Sequence, residues 1–280
     1  MSYLGVPGAE LYYEVSGAGP VLLLISGGTD DARDFEGVVP LLQDAFTVVA
    51  YDCRGLSRSR LDGDPVDVPV EVHADDARRL LHAVGDGPAQ VFGSSSGGQI
   101  ALSLTARHPE LVRAVVAHEP PAVTLLPDGD PRRTALAEAR AVHAREGVRA
   151  GMAAFVAAAG LDRVRHPGRH APESPRAAVN TQRRLVRMER NLEYFLSHVV
   201  GPAADYVPDV DALSSVPARV TVAVGDASEG QLAHAAGRAL AVRLGREPAV
   251  LPGGHAGFVT HPTAFARVLR ALLAVRPGAV

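Results

Sequence analysis

Short apolar segments alternate with amphipathic segments of helical period along most of this chain of 280 residues. Residues 21–25 are wholly apolar, whereas residues 70–84 place their apolar side chains at helical spacing. Strands that alternate with helices over short connections form a parallel sheet whose two faces are covered by helices. The pattern therefore predicts an α/β fold with strands at 11–15, 21–25, 46–51, 89–92, 111–117, 220–224 and 249–251 and helices at 35–43, 70–84, 99–107, 232–244 and 263–273.

The alternation is interrupted once, between residues 121 and 205. Strand-like runs disappear there, and arginine-rich segments of helical character replace them. We expect a helical cap at 121–205, inserted between the two parts of one core at 1–120 and 206–280. Because an apolar face on an inserted helix can line a binding cavity, the candidate substrate-binding side chains are Leu125, Leu126, Tyr194, Phe195 and His198.

Composition excludes several kinds of chemistry. All 28 basic residues are arginine, which rules out Schiff-base catalysis on lysine and a Walker-type phosphate loop. The net charge of −3 does not indicate nucleic-acid binding, and the single cysteine, Cys53, cannot form an internal disulfide. No segment has the roughly 18 consecutive apolar residues of a membrane span, and the first residues do not resemble a secretory signal, so we expect a soluble, cytoplasmic protein.

A glycine-flanked serine stands at a predicted strand-to-helix turn. The sequence Gly93-Ser-Ser-Ser-Gly97 follows the apolar segment 89–92 and precedes the helical segment 99–107. Only Ser95 fits the register G-x-S-x-G, in which the small flanking residues allow a tight, strained turn that exposes the central hydroxyl. Ser95 is therefore the candidate nucleophile. A serine hydroxyl needs an adjacent base, and that base needs a third group to orient it.

The base is expected just beyond the carboxyl end of a strand, where ligands meet a parallel sheet. His255 lies in the glycine-rich loop after the last predicted strand, a position that none of the other histidines shares. It is the candidate that accepts the Ser95 proton and passes it to the leaving group. No metal and no cofactor are expected for this chemistry.

These features resemble the α/β-hydrolase fold over nearly the whole chain. The segment Tyr51-Asp-Cys-Arg-Gly-Leu-Ser-Arg-Ser59 is similar to the family's D-x-R-G-x-x-x-S loop, and Ser26-Gly27-Gly28 is similar to its His-Gly-x oxyanion loop with serine in place of histidine. The resemblance implies that the backbone N–H groups of Gly28 and Ser96 hold the developing oxyanion.

The orienting acid departs from the family pattern. Ser228 stands where most relatives carry an aspartate and cannot orient an imidazole by charge. Two substitutes remain, Asp226 one residue after Gly225 and Glu119 at the end of the preceding strand. We favour Glu119 because its longer side chain gives it reach toward His255, and we retain Asp226 as the alternative. The order Ser, Glu, His resembles that of the lactonases that open the macrocyclic ester of zearalenone, although this chain has no tryptophan in its cap.

The sequence as a whole predicts a serine hydrolase that cleaves a small, hydrophobic carboxylic ester or lactone through an acyl-enzyme. Two other hypotheses remain open: a carbon–carbon bond hydrolase or cofactor-free perhydrolase with the same residues, and a non-catalytic ligand-binding protein of the same fold. Association into a homo-oligomer is compatible with the sequence but not indicated by it.

Overall fold

The computed structural model describes residues 2–162, 171–216 and 220–274. Within these ranges one sheet of nine strands forms the centre of the molecule. The strands are β1 Ser2–Val6, β2 Ala9–Ser16, β3 Val21–Ile25, β4 Thr47–Tyr51, β5 Arg60–Leu61, β6 Ala89–Ser94, β7 Val112–His118, β8 Val220–Gly225 and β9 Ala249–Leu251. Their order in the sheet is β1-β2-β4-β3-β6-β7-β8-β9, with β5 paired to β2. The six neighbours β4, β3, β6, β7, β8 and β9 run parallel, whereas β1 and β5 pair antiparallel with β2, and β2 pairs antiparallel with β4.

Helices cover both faces of this sheet and form the insertion between β7 and β8. A π-helical turn, Phe195–Val199, joins α5 (Pro175–Tyr194), the longest of the described helices, to α6 (Val200–Asp205). None of the described helices combines the length and the hydropathy of a membrane span. The helices are α1 Val70–Val84, α2 Ser96–Arg107, α3 Arg132–Glu146, α4 Val148–Ala159, α5 Pro175–Tyr194, α6 Val200–Asp205, α7 Val210–Ser215, α8 Leu232–Arg243, α9 Gly257–Thr260 and α10 Pro262–Leu273.

Successive side chains of the central strands pack into two different hydrophobic clusters. In β3, Leu23 and Ile25 face the cluster that contains α1, α2 and α8, whereas Leu22 and Leu24 face the cluster that contains α10. Both faces of the strand are thus buried, which explains why its sequence is apolar throughout instead of alternating. The carboxyl ends of β3, β6, β7, β8 and β9 meet at the edge that carries the candidate site.

The segment 35–43, predicted as one helix, forms two separate 3₁₀ turns, Ala32–Phe35 and Val39–Leu41. Asp31 begins the first turn with a capping box that includes Asp34. Pro40 has no N–H to donate, so it removes a hydrogen bond that a continuous α-helix would need at that position. The apolar spacing alone indicated a helix, but the missing N–H of Pro40 is the reason that no continuous α-helix forms here.

Candidate active site

Ser95 lies at a strained turn between β6 and α2. Its backbone has φ 56° and ψ −128°, and its N–H donates to the carbonyl oxygen of His118 at 2.9 Å. The turn requires the flanking glycines, because a Cβ atom on Gly93 would lie 2.1 Å from the Gly97 carbonyl oxygen and one on Gly97 would lie 2.3 Å from that of Ile25. The predicted exposed position of the serine follows from this packing.

His255 forms a short hydrogen bond with Glu119. The distance between His255 Nδ1 and Glu119 Oε2 is 2.6 Å, and Glu119 Oε1 accepts the N–H of Gly225 at 2.9 Å. Glu119 is fully buried, and burial by itself raises its pKa. The hydrogen bond from His255, the nearby ring of His118 and the N–H of Gly225 outweigh this effect and lower the pKa of Glu119 to about 2. An ionised carboxylate only accepts hydrogen bonds, so His255 Nδ1 carries the donated proton and its Nε2 is left to act as a base.

The alternative acid has a different hydrogen-bond partner. Asp226 Oδ1 accepts the N–H of Gly253 at 2.9 Å and so braces the turn that leads to His255. Ser228, at the position where most relatives were expected to carry the acid, is buried, and its hydroxyl has no hydrogen-bond partner among the described residues. The carboxylate that contacts the imidazole is therefore that of Glu119.

His118 is a member of the site that sequence reasoning did not single out. Its ring lies 6.2 Å from those of both Phe92 and His255 in stacked orientation, and its Nδ1 shares a hydrogen bond of 3.1 Å with Ser94 Oγ. Burial lowers the pKa of His118 to about 4, so the ring is neutral near pH 7. Its place directly before Glu119 was visible in the sequence, but its stacking on His255 depends on the sheet register.

The oxyanion loop after β3 packs directly against the serine turn. A Cβ atom on Gly27 would lie 2.8 Å from Ser95 Cβ, and Gly28 has a φ of 59°, a conformation that favours glycine. The N–H of Gly28 donates to Ser96 Oγ at 2.9 Å. The two residues of the predicted oxyanion hole, Gly28 and Ser96, thus lie next to each other. The Gly28 N–H already has a hydrogen-bond acceptor, the Ser96 hydroxyl.

Ser95 and His255 line one cavity of about 180 Å³, together with residues of the insertion between β7 and β8. No hydrogen bond joins their side chains in the described part of the chain, a common state for catalytic pairs without substrate. The wall is mostly apolar. It includes Leu136, Met152, Phe155, Val156, Ala159, Leu161, Met188, Phe195, Val199, Val200, Ala203, Leu232 and Ala233, with the ion pair of Asp30 and Arg184 as its charged part.

Of the five side chains predicted to line the substrate cavity, the structure places Phe195 there. Tyr194 packs against the core cluster that contains α1 and α2, and His198 lines a smaller cavity behind the oxyanion loop. Leu125 packs against the core cluster that contains α1 and α2, and Leu126 belongs to the cluster that also contains the wall residues Leu136, Phe195 and Val200, but neither leucine lines the cavity. The insertion supplies most of the wall, mainly through residues of α3, α4 and α6 that the sequence pattern did not single out.

Ion pairs attach α5 to the segment after β3. Arg184 Nη2 lies 2.7 Å from Asp30 Oδ1, and Arg187 Nε lies 3.4 Å from Asp31 Oδ1. Arg187 also pairs with Asp34, whose pKa is raised by burial and by the Asp30 carboxylate. Two arginines thus face three carboxylates, and this part of the wall has no excess positive charge to attract an anionic substrate.

The buried amide of Asn191 adds a second attachment. Its Nδ2 donates to the carbonyl oxygen of Thr29 at 2.8 Å, and its Oδ1 accepts the N–H of Ser57 at 3.0 Å. Thr29 directly follows Gly28, so α5 holds the backbone of the loop that is predicted to bind the oxyanion. Among all the described residues, no cluster of His, Cys, Asp or Glu has the arrangement of a metal site.

A fold of this topology, with a serine at the turn after β6 and a histidine after β9, defines a hydrolase of the α/β class. The profile of a family described as alpha/beta hydrolase fold matches residues 20–157. The uncharacterized hydrolase YraK of Bacillus subtilis (strain 168) is 35% identical over 276 residues, which cover 96% of this chain and 94% of that protein. The chain therefore belongs to the α/β-hydrolase superfamily, and the predicted fold and family resemblance are confirmed.

Solved structures agree with this fold. An esterase from Thermogutta terrifontis superimposes with a TM-score of 0.72 at 21% identity, covering 98% of each chain. The enol-lactonase from Burkholderia xenovorans LB400 gives a TM-score of 0.69 at 19% identity, covering 98% of this chain and 100% of the other. At these identities the likeness extends to the fold alone.

Proposed function

We propose that this hydrolase cleaves a carboxylic ester or lactone through an acyl-enzyme, with Ser95 as nucleophile, His255 as base and Glu119 as orienting acid. The observation that carries the proposal is the short hydrogen bond between Glu119 and His255 in a cavity that Ser95 also lines. A buried carboxylate that binds Nδ1 fixes the imidazole tautomer and stabilises the imidazolium that forms.

The proposed reaction has two steps. Ser95 Oγ attacks the substrate carbonyl carbon while His255 takes the hydroxyl proton, and the resulting tetrahedral oxyanion lies beside the N–H of Ser96 at the start of α2. Collapse breaks the bond to the leaving oxygen, which receives the proton from His255 and leaves as an alcohol or, in a lactone, as the free end of the acyl chain. Water then attacks the acyl-enzyme by the same proton transfers and releases the acid.

The cavity supports an uncharged, hydrophobic substrate. Its wall is mostly aliphatic and aromatic side chains from the cap, and its charged pair is internally neutralised. A cavity of about 180 Å³ fits a small molecule more readily than a polymer. The structural neighbours named as an esterase and an enol-lactonase agree with an ester or lactone substrate.

The test is hydrolysis of p-nitrophenyl esters of increasing acyl length and of a lactone panel, together with labelling by a fluorophosphonate probe. Wild-type protein should hydrolyse the esters and become labelled, and Ser95→Ala should abolish both. Ser103→Ala, which removes a buried hydroxyl from the same helix away from the cavity, is the matched control and should retain both. Labelling that persists in Ser95→Ala would refute the proposal.

A further inference from the structure

The sequence assigns only the backbone N–H of Ser96 to the oxyanion hole, but the structure also places its hydroxyl there. Ser96 is the first residue of α2, and the first N–H groups of a helix have no acceptor within it. Its side chain lines both the substrate cavity and the smaller cavity behind the oxyanion loop. The Oγ atom accepts the Gly28 N–H at 2.9 Å, so it lies where the two expected oxyanion donors converge.

This contact changes what the oxyanion hole can donate. A serine hydroxyl has one proton and two lone pairs, so accepting from Gly28 leaves its O–H free to donate. No hydrogen bond between described residues takes that proton. Because the Gly28 N–H is engaged, a substrate oxygen at this place would meet the Ser96 N–H and the Ser96 O–H.

We propose that the Ser96 hydroxyl is a catalytic donor to the oxyanion. Gly28 donates its N–H to Ser96 Oγ, and Ser96 donates its O–H to the substrate oxygen, so the backbone group acts through the side chain. Hydrogen bonds in such a chain polarise one another, which strengthens the final donor. The proton stays on Ser96 throughout. This inference rests on the proposed acyl-enzyme function.

The alternative is that the Ser96 hydroxyl inhibits the reaction by blocking the Gly28 N–H. A hydroxyl that only blocks the Gly28 N–H would have to rotate away before the oxyanion could bind there. In that case removal of the hydroxyl leaves the turnover unchanged or raises it. The two roles therefore predict opposite results for the same substitution.

The experiment compares Ser96→Ala, Ser96→Thr and wild type on the best p-nitrophenyl ester. Ser96→Ala should lower kcat by about 100-fold with little change in KM, as expected for the loss of an oxyanion donor. The same substitution should weaken inhibition by a trifluoromethyl ketone, which forms a tetrahedral adduct with Ser95, by a similar factor. Ser96→Thr keeps the hydroxyl and should restore kcat to within about threefold of wild type on the same reasoning.

A kcat for Ser96→Ala at or above that of wild type would overturn the proposal. If Ser96→Ala does not fold, as judged by thermal unfolding, Ser96→Cys replaces it: a thiol is a weak donor, and undiminished kcat in that variant would be equally contrary. Ser95→Ala separates the two levels of the argument. Turnover that survives in Ser95→Ala refutes the proposed function, whereas turnover lost there but retained in Ser96→Ala refutes only the role of Ser96.

Discussion

Glu119 and Ser95 both adopt positive φ angles, 47° and 56°, although neither is a glycine. Such conformations cost about 1 to 3 kcal/mol each and persist only where the surrounding structure fixes them. Here they turn the two side chains off the ends of β7 and β6 toward His255 and the cavity. Ser57, which donates its N–H to Asn191, also has a positive φ of 50°, so this conformation occurs both in residues to which the proposal assigns the chemistry and in a loop that α5 contacts.

Replacement of Glu119 tests the choice between the two acids. Glu119→Gln should lower kcat by about 10⁴-fold, because the amide cannot stabilise the imidazolium by charge and can favour the wrong tautomer. Asp226→Asn should stay close to wild type, because its side-chain oxygen can still accept the Gly253 N–H. Steady-state kinetics on one ester measures both variants. A larger loss in Asp226→Asn than in Glu119→Gln would reverse the assignment.

At the scale of secondary-structure elements, α5 is joined to the oxyanion loop by buried polar contacts. Asn191 binds backbone groups of Thr29 and Ser57, and both arginines of the attachment pair with the segment after β3. The insertion between β7 and β8 therefore contributes to the cavity wall and also contacts the loop that carries Gly28. A change at Asn191, which is not among the cavity-lining residues, should affect turnover without touching the substrate.

Asn191→Leu should destabilise the protein by about 2 to 3 kcal/mol, because the Ser57 N–H and the Thr29 carbonyl lose their buried partner. It should also lower kcat on the ester by loosening the oxyanion loop. Urea unfolding measures the first effect. Gln182→Leu, an exposed amide on the same helix, is the matched control and should change stability by less than about 0.5 kcal/mol. Equal unfolding midpoints for the two variants would show that this attachment carries no stability.

The elements were predictable where local sequence decides them. The sequence of β3 is apolar throughout because both faces of the strand are buried. The residues flanking Ser95 are glycines because the neighbouring backbone lies too close to allow a Cβ atom. The antiparallel strands β1 and β5 were missed because they lie at the edge of the sheet, where β1 has mostly exposed side chains and β5 has only two residues. Most of the cavity wall was missed because it comes from α3, α4, α6 and the start of α8, and which of their side chains meet at the cavity depends on how these helices pack together in the fold.

Across the whole molecule, acid sensitivity follows from histidines that burial keeps neutral, among them His73 and His118, whose pKa values burial lowers to about 4. Burial lowers the pKa of His118 from 6.5 to about 4, with Glu119 opposing the shift and His255 adding to it. Between these pH values the unfolded chain binds a proton that the folded chain does not, so stability falls as the pH drops through this window. The lowered pKa of Glu119 acts in the same direction but below pH 4.5.

His118→Phe should reduce the loss of stability between pH 6.5 and pH 4 by about 3 kcal/mol, because phenylalanine fits the aromatic surroundings and does not titrate. Urea unfolding across this range measures the difference from wild type. His82→Phe, which replaces an exposed histidine, should leave the shape of the stability profile unchanged. Parallel profiles for wild type and His118→Phe would contradict the buried neutral state.

The carboxylate that contacts His255 belongs to the residue directly after β7, whereas residues 231–233, after β8, line the cavity. The group that orients the imidazole and these three wall positions therefore follow different strands. Mutant libraries confined to these three positions could alter acyl-chain preference while the imidazole keeps its partner, which makes this short stretch a natural starting point for redesigning selectivity.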